Sequence, residues 1–438
     1  MSKGYLQRKA AWEILLKVSS GIYSDQALDK VLENYQFNSL DIAFITELSF
    51  GCIRYRKFLD HWIDHTSKLT HKKQPPKLRW LLHIGLYQIL KMNKIPHSAS
   101  ISTTVEIAKK TDLMRLSGVV NGILRNATRK INSNILPILP VNQAERISLE
   151  ESLPLWLVRE MIIWFGVNAT IKISKSFNKK PNIDLRINLL KTTMSEINEI
   201  FKKNNIAFEP IKGLDNGLVL KNKPRYIKKI PGYIEGKWVI QDRSSQLIAP
   251  LLRPINGEKI LDACSAPGIK TTHLAELIKD QGEITAIDKS GTRLQLLKEN
   301  IERLKIKSVE YLKADATRII ELNSKYLNYF DKILIDAPCS GIGTLSRNPD
   351  ARWNLTKSKI NQLINIQEKL LENIIPLLKR NGTLVYSTCT ICPGENNLLI
   401  DRFLKKNSQF ELLFERQILP IDDHSGDGFY AAIISYKK

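Results

Sequence analysis

The chain has 438 residues, 43% hydrophobic and 25% charged, which is ordinary for a globular protein of about three domains with sizeable cores. No stretch approaches the ~20 apolar residues that a membrane-spanning helix needs, and five scattered cysteines exclude a disulfide framework and fit a reducing compartment. With 66 Lys and Arg against 44 Asp and Glu the net charge is +22; such an excess draws phosphate polymers by releasing their counterions, although a generic lysine-rich surface is the blander account.

Residues 1–18 carry Lys3, Arg8, Lys9, Glu13 and Lys17, so they lack the unbroken apolar core of a signal peptide, and a cytoplasmic protein is expected. Leu6, Ala10, Ile14 and Val18 recur at helical spacing, and Ala43, Leu48 and Ile53 do so less regularly. Residues 79–90 form a strongly apolar helical run, set off by Pro75-Pro76 and by Ile95-Pro96. A further helical run at 119–126 is followed by Arg129 and Lys130, and Pro137 and Pro140 then mark a linker. Residues 1–140 are predicted to be an all-α bundle.

Residues 141–235 mix types. The spacing predicts helices over 156–165 and 197–204 and strands over 183–188, which alternates apolar and polar, and over 217–220. A small α/β module follows. Its basic clusters are Lys179-Lys180, Lys221 with Lys223 and Arg225, and Lys228-Lys229. Each is a candidate nucleic-acid contact, though a charge run is more often a solvated face.

From 236 to 438 short apolar strands at 259–262, 283–288, 309–312, 332–336 and 383–386 alternate with helical stretches such as 292–304 and 359–378. That rhythm predicts a Rossmann-like, mostly parallel sheet covered on both faces, with 410–414 and 429–435 as a terminal pair.

Ligands of such sheets bind beyond the carboxyl ends of the strands. The first strand ends in Asp262-Ala263-Cys264-Ser265-Ala266-Pro267-Gly268-Ile269-Lys270, a turn of small residues that lets backbone approach a ligand closely. The second ends in Asp288, placed to accept ribose hydroxyls, and the third is followed by Asp315, which can face an adenine amino group. The turn is not the pyrophosphate-binding G-x-G-x-x-G, so an adenosine ligand without pyrophosphate, such as S-adenosylmethionine, is favoured over a nicotinamide cofactor or an empty turn.

The fourth strand runs into Asp336-Ala337-Pro338-Cys339 and the fifth into Ser387-Thr388-Cys389, so both cysteines leave adjacent loops at the ligand edge. A thiolate that adds to carbon 6 of a cytosine makes carbon 5 nucleophilic toward a methyl sulfonium. The adduct needs an acid near ring nitrogen 3, a role Asp336 is placed for, and later a base that removes the carbon 5 proton. Free cysteines are often merely buried small residues. Two at equivalent strand ends favour chemistry instead. Cys389 and Cys392 also form a C-x-x-C pair, but zinc wants a second pair or nearby histidines, so no metal is expected.

These motifs resemble the Sun group of RNA cytosine-5 methyltransferases. The likeness over 236–438 rests on Asp262-Ala-Cys264-Ser-Ala-Pro-Gly268-Ile-Lys270-Thr, Asp336-Ala-Pro-Cys339-Ser-Gly-Ile-Gly343-Thr, Arg347-Asn-Pro349-Asp350 with Arg352-Trp353, Ser387-Thr-Cys389 followed by Glu395-Asn396, and Gly426-Asp427-Gly428-Phe429-Tyr430. It implies that Cys389 is the nucleophile and that Cys339 assists release. It implies S-adenosylmethionine contacts from Cys264, Ser265, Ala266, Pro267, Gly268, Ile269 and Lys270, and from Asp288, Asp315 and Asp336. Residues 1 to about 135 resemble a NusB-like RNA-binding domain, through Phe50-Gly51, Arg54-Tyr55-Arg56 and Val120-Asn121-Gly122-Ile123-Leu124-Arg125. The resemblance implies small-subunit (16S) ribosomal RNA as partner, with tRNA an alternative; a monomer is expected. The family's second glycine is Ile269 here, and its usual histidine is Asn348. A binding factor with an idle catalytic fold and a nicotinamide oxidoreductase are the competing classes; S-adenosylmethionine or NAD binding separates them.

Overall fold

The computed structural model describes residues 4–221, 227–319, 324–422 and 426–437. Lys223 and Arg225 lie outside the described residues. The chain forms two compact units: residues 1–178 with 348–354, and residues 179–347 with 355–438.

The first unit is helical. Its helices are α1 (Tyr5–Ser19), α2 (Ser24–Leu32), α3 (Ser39–Arg54), α4 (Arg56–Thr66), α5 (Pro76–Lys91), α6 (His97–Lys109), α7 (Ser117–Asn132), α8 (Gln143–Glu150) and α9 (Leu155–Ser176). Local chemistry sets several of the starts. The Asn38 side chain accepts from the backbone N–H groups of Leu40 and Asp41, and Asp41 reciprocates at Asn38, which is a capping box. Pro76 opens α5, where its missing N–H costs nothing. The apolar faces meet in one core that includes Trp12, Ile14, Leu48, Leu81, Ile84 and Leu124. Helix α9 outruns the run expected over 156–165: Gly166 leaves helical geometry at φ 74°, and the helix resumes to Ser176.

Buried charge is matched inside this unit. Asp60 on α4 accepts from both the Arg79 guanidinium and His83 Nε2 (2.9 Å to His83) on α5. Burial pushes the Asp60 carboxyl up, but His83 and Arg79 outweigh it and hold the carboxyl well below its usual range. Burial pushes His83 down.

The second unit contains two sheets. The smaller has the order β2-β3-β1-β4 and is antiparallel throughout, from β1 (Ile183–Ile187), β2 (Phe208–Pro210), β3 (Gly217–Leu220) and β4 (Trp238–Ile240). Helix α10 (Met194–Lys203) starts at a Thr193–Glu196 capping box and buries Ile197 and Phe201 against Leu185, Leu218 and Trp238. Lys179, Lys180, Lys228 and Lys229 are exposed.

The larger sheet has seven strands: β5 (Lys259–Asp262), β6 (Glu283–Asp288), β7 (Val309–Lys313), β8 (Phe330–Asp336), β9 (Leu378–Thr388), β10 (Phe410–Ile418) and β11 (Phe429–Tyr436). Their order is β10-β11-β9-β8-β5-β6-β7; β5 to β9 run parallel, and the terminal pair is antiparallel. Two apolar cores, one led by Ile333, Ile335, Leu371 and Tyr386 and the other by Ile260, Leu274, Ile284 and Val385, hold the helices against it. The connections reverse direction between β5 and β8, and that switch opens a crevice beyond their carboxyl ends. Among the described residues no helix is long and apolar enough to cross a membrane.

Candidate active site

The crevice at the carboxyl ends of β5, β6, β8 and β9 contains a cavity of 230 Å³ lined by Cys264, Asp288, Asp315, Asp336, Cys339 and Cys389, together with neighbouring residues. Six of the residues expected from sequence therefore share one cavity. Ser265, Ala266, Pro267, Gly268, Ile269 and Lys270 do not line it. They build the turn beneath it.

Most hydrogen-bonding groups of that turn are already in use. Ser265 N–H and Oγ both donate to the Ile287 carbonyl, and the Ala266 N–H donates to Asp288 Oδ2 at 3.2 Å. The Ala266 carbonyl accepts from Arg293, the Pro267 carbonyl from Asn300, and the Ile269 carbonyl from the buried Arg186. Gly268 has φ 93°, and a Cβ there would press on Leu297, so this position tolerates only glycine comfortably. Helix α11 (Ile269–Leu277) begins directly after it.

The three cavity carboxylates come from three strand ends. Asp288 accepts from Ser290 N–H at 2.8 Å, and Asp315 accepts from the N–H and hydroxyl of Thr317. Thr317 is the main reason that the Asp315 carboxyl sits below its usual range. Asp336 is held from two sides, by Lys270 Nζ at 2.6 Å and Ser387 Oγ at 3.0 Å. Beneath them Asp262 is buried, bonded through one oxygen to Thr271, and burial pushes it up to about 7. Burial also pushes the Cys264 thiol up.

The two cysteine sulfurs lie 3.3 Å apart. β8 and β9 are neighbours with Asp336 opposite Ser387, so the loops that follow them must run side by side. Their approach is reinforced by backbone: Gly343 N–H donates to the Cys389 carbonyl at 3.1 Å, and Gly428 N–H donates to the Gly343 carbonyl at 2.9 Å. A Cβ at Gly343 would collide with the Gly428 carbonyl, which explains the glycine. The hydrogen bond with Cys389, then burial, raises the Cys339 pKa well above the ordinary thiol value.

Sequence reasoning placed Glu395 in a motif without a role. Its carboxylate accepts from the Ser340 N–H at 2.8 Å, from the Ser340 hydroxyl, and from Gln367 Nε2 at 3.0 Å, and so fixes the residue next to Cys339. Asn396 accepts from Thr388 Oγ1 and donates to the Thr390 carbonyl, bracketing Cys389. Lys289, Arg293, Ile366 and Leu370 also line the cavity. The i, i+4 pair on the helix Lys357–Ile374 was the one local signal for the last two.

The Arg347–Trp353 motif divides. Arg347 bonds Asp427 at 2.5 Å, Asp242 at 2.7 Å and the Asn182 carbonyl at 3.0 Å within the sheet-bearing unit. Burial, then Asp242, pushes Asp427 up to about 7. Residues 348–354, beginning at Asn348, belong to the helical unit. There Arg352 is fully buried and donates to the carbonyls of Arg54, Ser152 and Phe177. The cysteines are all free, and among the described residues no group of three or more His, Cys, Asp or Glu side chains is arranged to hold a metal.

Comparison with known proteins agrees along the chain. A family model described as 16S rRNA methyltransferase RsmB/F matches residues 249–435, a NusB family model matches 6–129, and a ferredoxin-like domain model of RsmF/B-like methyltransferases matches 153–226. A probable ribosomal RNA small subunit methyltransferase B of Synechocystis sp. is 41% identical over 89% of this chain and 86% of its own length. The ribosomal RNA small subunit methyltransferase B of Proteus mirabilis is 33% identical over the whole of both chains. The crystal structure of PH0851 superposes with a TM-score of 0.84 at 26% identity, covering 99% of each chain.

Proposed function

The chain belongs to the 16S rRNA methyltransferase RsmB/F family, and from that premise we propose that it transfers a methyl group from S-adenosylmethionine to carbon 5 of a cytosine in small-subunit ribosomal RNA, through a transient bond to Cys389. The observation that carries this reading is the pair of free sulfurs 3.3 Å apart in a cavity shared with three strand-end carboxylates.

The cavity residues fit the methyl donor. Asp288 and Asp315 offer acceptors for ribose hydroxyls and an adenine amino group, and the carboxylates complement a cationic ligand. When bound, S-adenosylmethionine supplies an electrophilic methyl group. The turn from Ser265 to Lys270 acts as its floor, and Lys270 also holds Asp336.

The remaining steps belong to the protein and the base. The target cytosine leaves its stack, because carbons 5 and 6 cannot be reached within a helix. Cys389 attacks carbon 6 as a thiolate, with the neutral Cys339 thiol donating toward its sulfur. Asp336 serves as the acid at ring nitrogen 3, so that charge does not build up on the ring. Carbon 5 becomes nucleophilic and takes the methyl group. A base then removes the carbon 5 proton, ring nitrogen 3 returns its proton to Asp336, the carbon 6–sulfur bond breaks, and Cys389 leaves as the thiolate. Cys339 is the group assigned to this release.

In this reading residues 1–140 and 141–235 grip RNA, chiefly through phosphates, and 236–438 carry the chemistry. The protein acts in the cytoplasm as a monomer. The test is methylation of 16S rRNA transcripts and subunits with labelled S-adenosylmethionine, mapped by bisulfite sequencing. One protected cytosine in small-subunit rRNA is expected; methylation confined to tRNA, or at a base other than cytosine, would overturn the proposal.

A further inference from the structure

The helical unit has a cavity of its own, of 350 Å³, lined by Arg56, Lys72, Arg79, Trp80, Asp350 and Trp353 among others. Arg56 is the unusual member. Its guanidinium carbon lies 5.5 Å from the centroid of the Trp80 ring and 5.5 Å from that of Trp353. A cation–π contact of this kind forms no hydrogen bond to an acceptor atom, so it does not by itself satisfy the five N–H donors of the guanidinium. Among the described residues none of those donors has a hydrogen-bond or ion-pair partner.

The other charges around the cavity are spent. Arg79 is taken by Asp60, and His71 by Asp64 at 2.7 Å. Asp350, the acidic residue in the lining, accepts the Ser24 hydroxyl at 2.6 Å. Lys72 is exposed and has no partner among the described residues. Two cations thus face the cavity, and among the described residues neither is paired with Asp350, the carboxylate in its lining. Burial, then the neighbouring Arg79, pulls the Arg56 pKa below the ordinary guanidinium value, outweighing the opposite pull of Asp60.

A partly buried guanidinium with an open fork is costly unless something completes it. The complement is an oxyanion with two oxygens at fork spacing, a phosphate or a carboxylate. The +22 charge of the chain and its rRNA substrate favour the phosphate.

We infer that this cavity binds a backbone phosphate of the RNA substrate outside the reacting nucleotide, with Arg56, braced between Trp80 and Trp353, as the fork and Lys72 as a second cation. The inference rests on the reading of the substrate as rRNA. It also accounts for the aromatic end of the Asp350-to-Trp353 motif, since Trp353, anchored by its indole N–H to the Ile53 carbonyl at 2.7 Å, forms one wall of the brace.

The test is the affinity of the full chain for transcribed 16S rRNA as a function of salt. Arg56→Gln should weaken binding about 10-fold and reduce the log–log salt slope by about 0.7–0.9, the value of one lost phosphate contact. Lys72→Gln, an exposed change that threatens no packing, should weaken it about 3-fold and also lower the slope. Arg56→Lys should restore the slope and part of the affinity. Unchanged affinity and slope in both glutamine variants would overturn the inference, as would a loss in Arg56→Gln with no change of slope, which marks packing alone. Competition arms separate the sources of the anion. Saturation by inorganic phosphate with RNA binding intact would assign the site to free phosphate, and saturation by polyglutamate with RNA binding intact would assign it to an acidic protein; either overturns the inference. Should wild type bind 16S rRNA with these losses yet methylate none, the substrate reading falls and the phosphate site stands.

Discussion

The crevice of the sheet-bearing unit and the cavity of the helical unit treat polar groups in opposite ways. In the crevice the protein completes its own hydrogen bonds: Asp336 is held by Lys270 and Ser387, Ser340 by Glu395, and the Cys339 sulfur lies against that of Cys389. In the helical cavity Arg56 is braced by two tryptophan faces and its donors are left open. Groups that react need fixed geometry before the substrate arrives, because reorganisation during the reaction slows it. A group that only binds gains by being left one partner short, since the ligand then supplies the missing bonds. Position and incompleteness are separate design choices, and this chain uses one in each unit.

The sharpest way to break the comparison is at the sulfur. Cys389→Ala should lower methyl transfer by about 10⁴-fold or more while leaving RNA affinity within a factor of about two, measured by label incorporation and filter binding. Near-normal turnover would remove the covalent step. Cys339→Ala, one atom contact away, should have a different signature: an RNA–protein species that survives a denaturing gel and accumulates to about one per enzyme, because attack proceeds and release does not. If no such species forms, Cys339 does not serve release.

A smaller effect is expected at the support. Glu395→Ala orphans the buried Ser340 N–H and takes one of two partners from the Ser340 hydroxyl, whose contact with Thr390 Oγ1 at 2.8 Å stays, and each lost partner costs about 1–3 kcal/mol. Unfolding in denaturant should show a loss of about 3 kcal/mol, with slower transfer and unchanged RNA affinity. Glu395→Gln should recover part of it. Equal stability in the alanine variant would mean that Ser340 finds another acceptor.

The smallest effect is a pH dependence in the helical unit. The Asp60 carboxyl is depressed below its unfolded value, so its stabilisation is present near neutrality and lost as pH falls toward the folded value. His83 is depressed as well and resists protonation in the fold, which adds a loss in the same direction below its ordinary value of 6.5. Thermal melting of the full chain should therefore fall between pH 7 and pH 4. Asp60→Asn should start about 3 kcal/mol less stable, because it breaks a buried pair, and should respond less to pH. A pH response as steep as that of wild type would assign the loss to other groups.

Much of this molecule is written in local pattern. The alternation of β5 to β9 with helices, the small-residue turn from Ala263 to Gly268, and the acids and cysteines at successive strand ends can all be read along the chain, because strand period, turn chemistry and the carboxyl-end rule act over a few residues. The helical character of residues 5–132 is legible for the same reason, and the resemblance of the motifs supplied the chemistry expected of them. The turn residues Ser265 to Lys270 stood in the motif as ligand contacts, and the structure adds that most of their polar groups also hold the turn.

What tertiary structure alone decided is which distant residues meet. The 3.3 Å between Cys339 and Cys389 depends on β8 and β9 being parallel neighbours across a long crossover. The role of Glu395 depends on a side chain reaching back to Ser340 from beyond the nucleophile. Arg56, Trp80 and Trp353 come from three remote points of the chain, and residues 348–354 pack with helices that precede them by hundreds of positions. Periodicity carries which face of an element is buried. It carries nothing about the partner that buries it, because packing is chosen by the whole core at once.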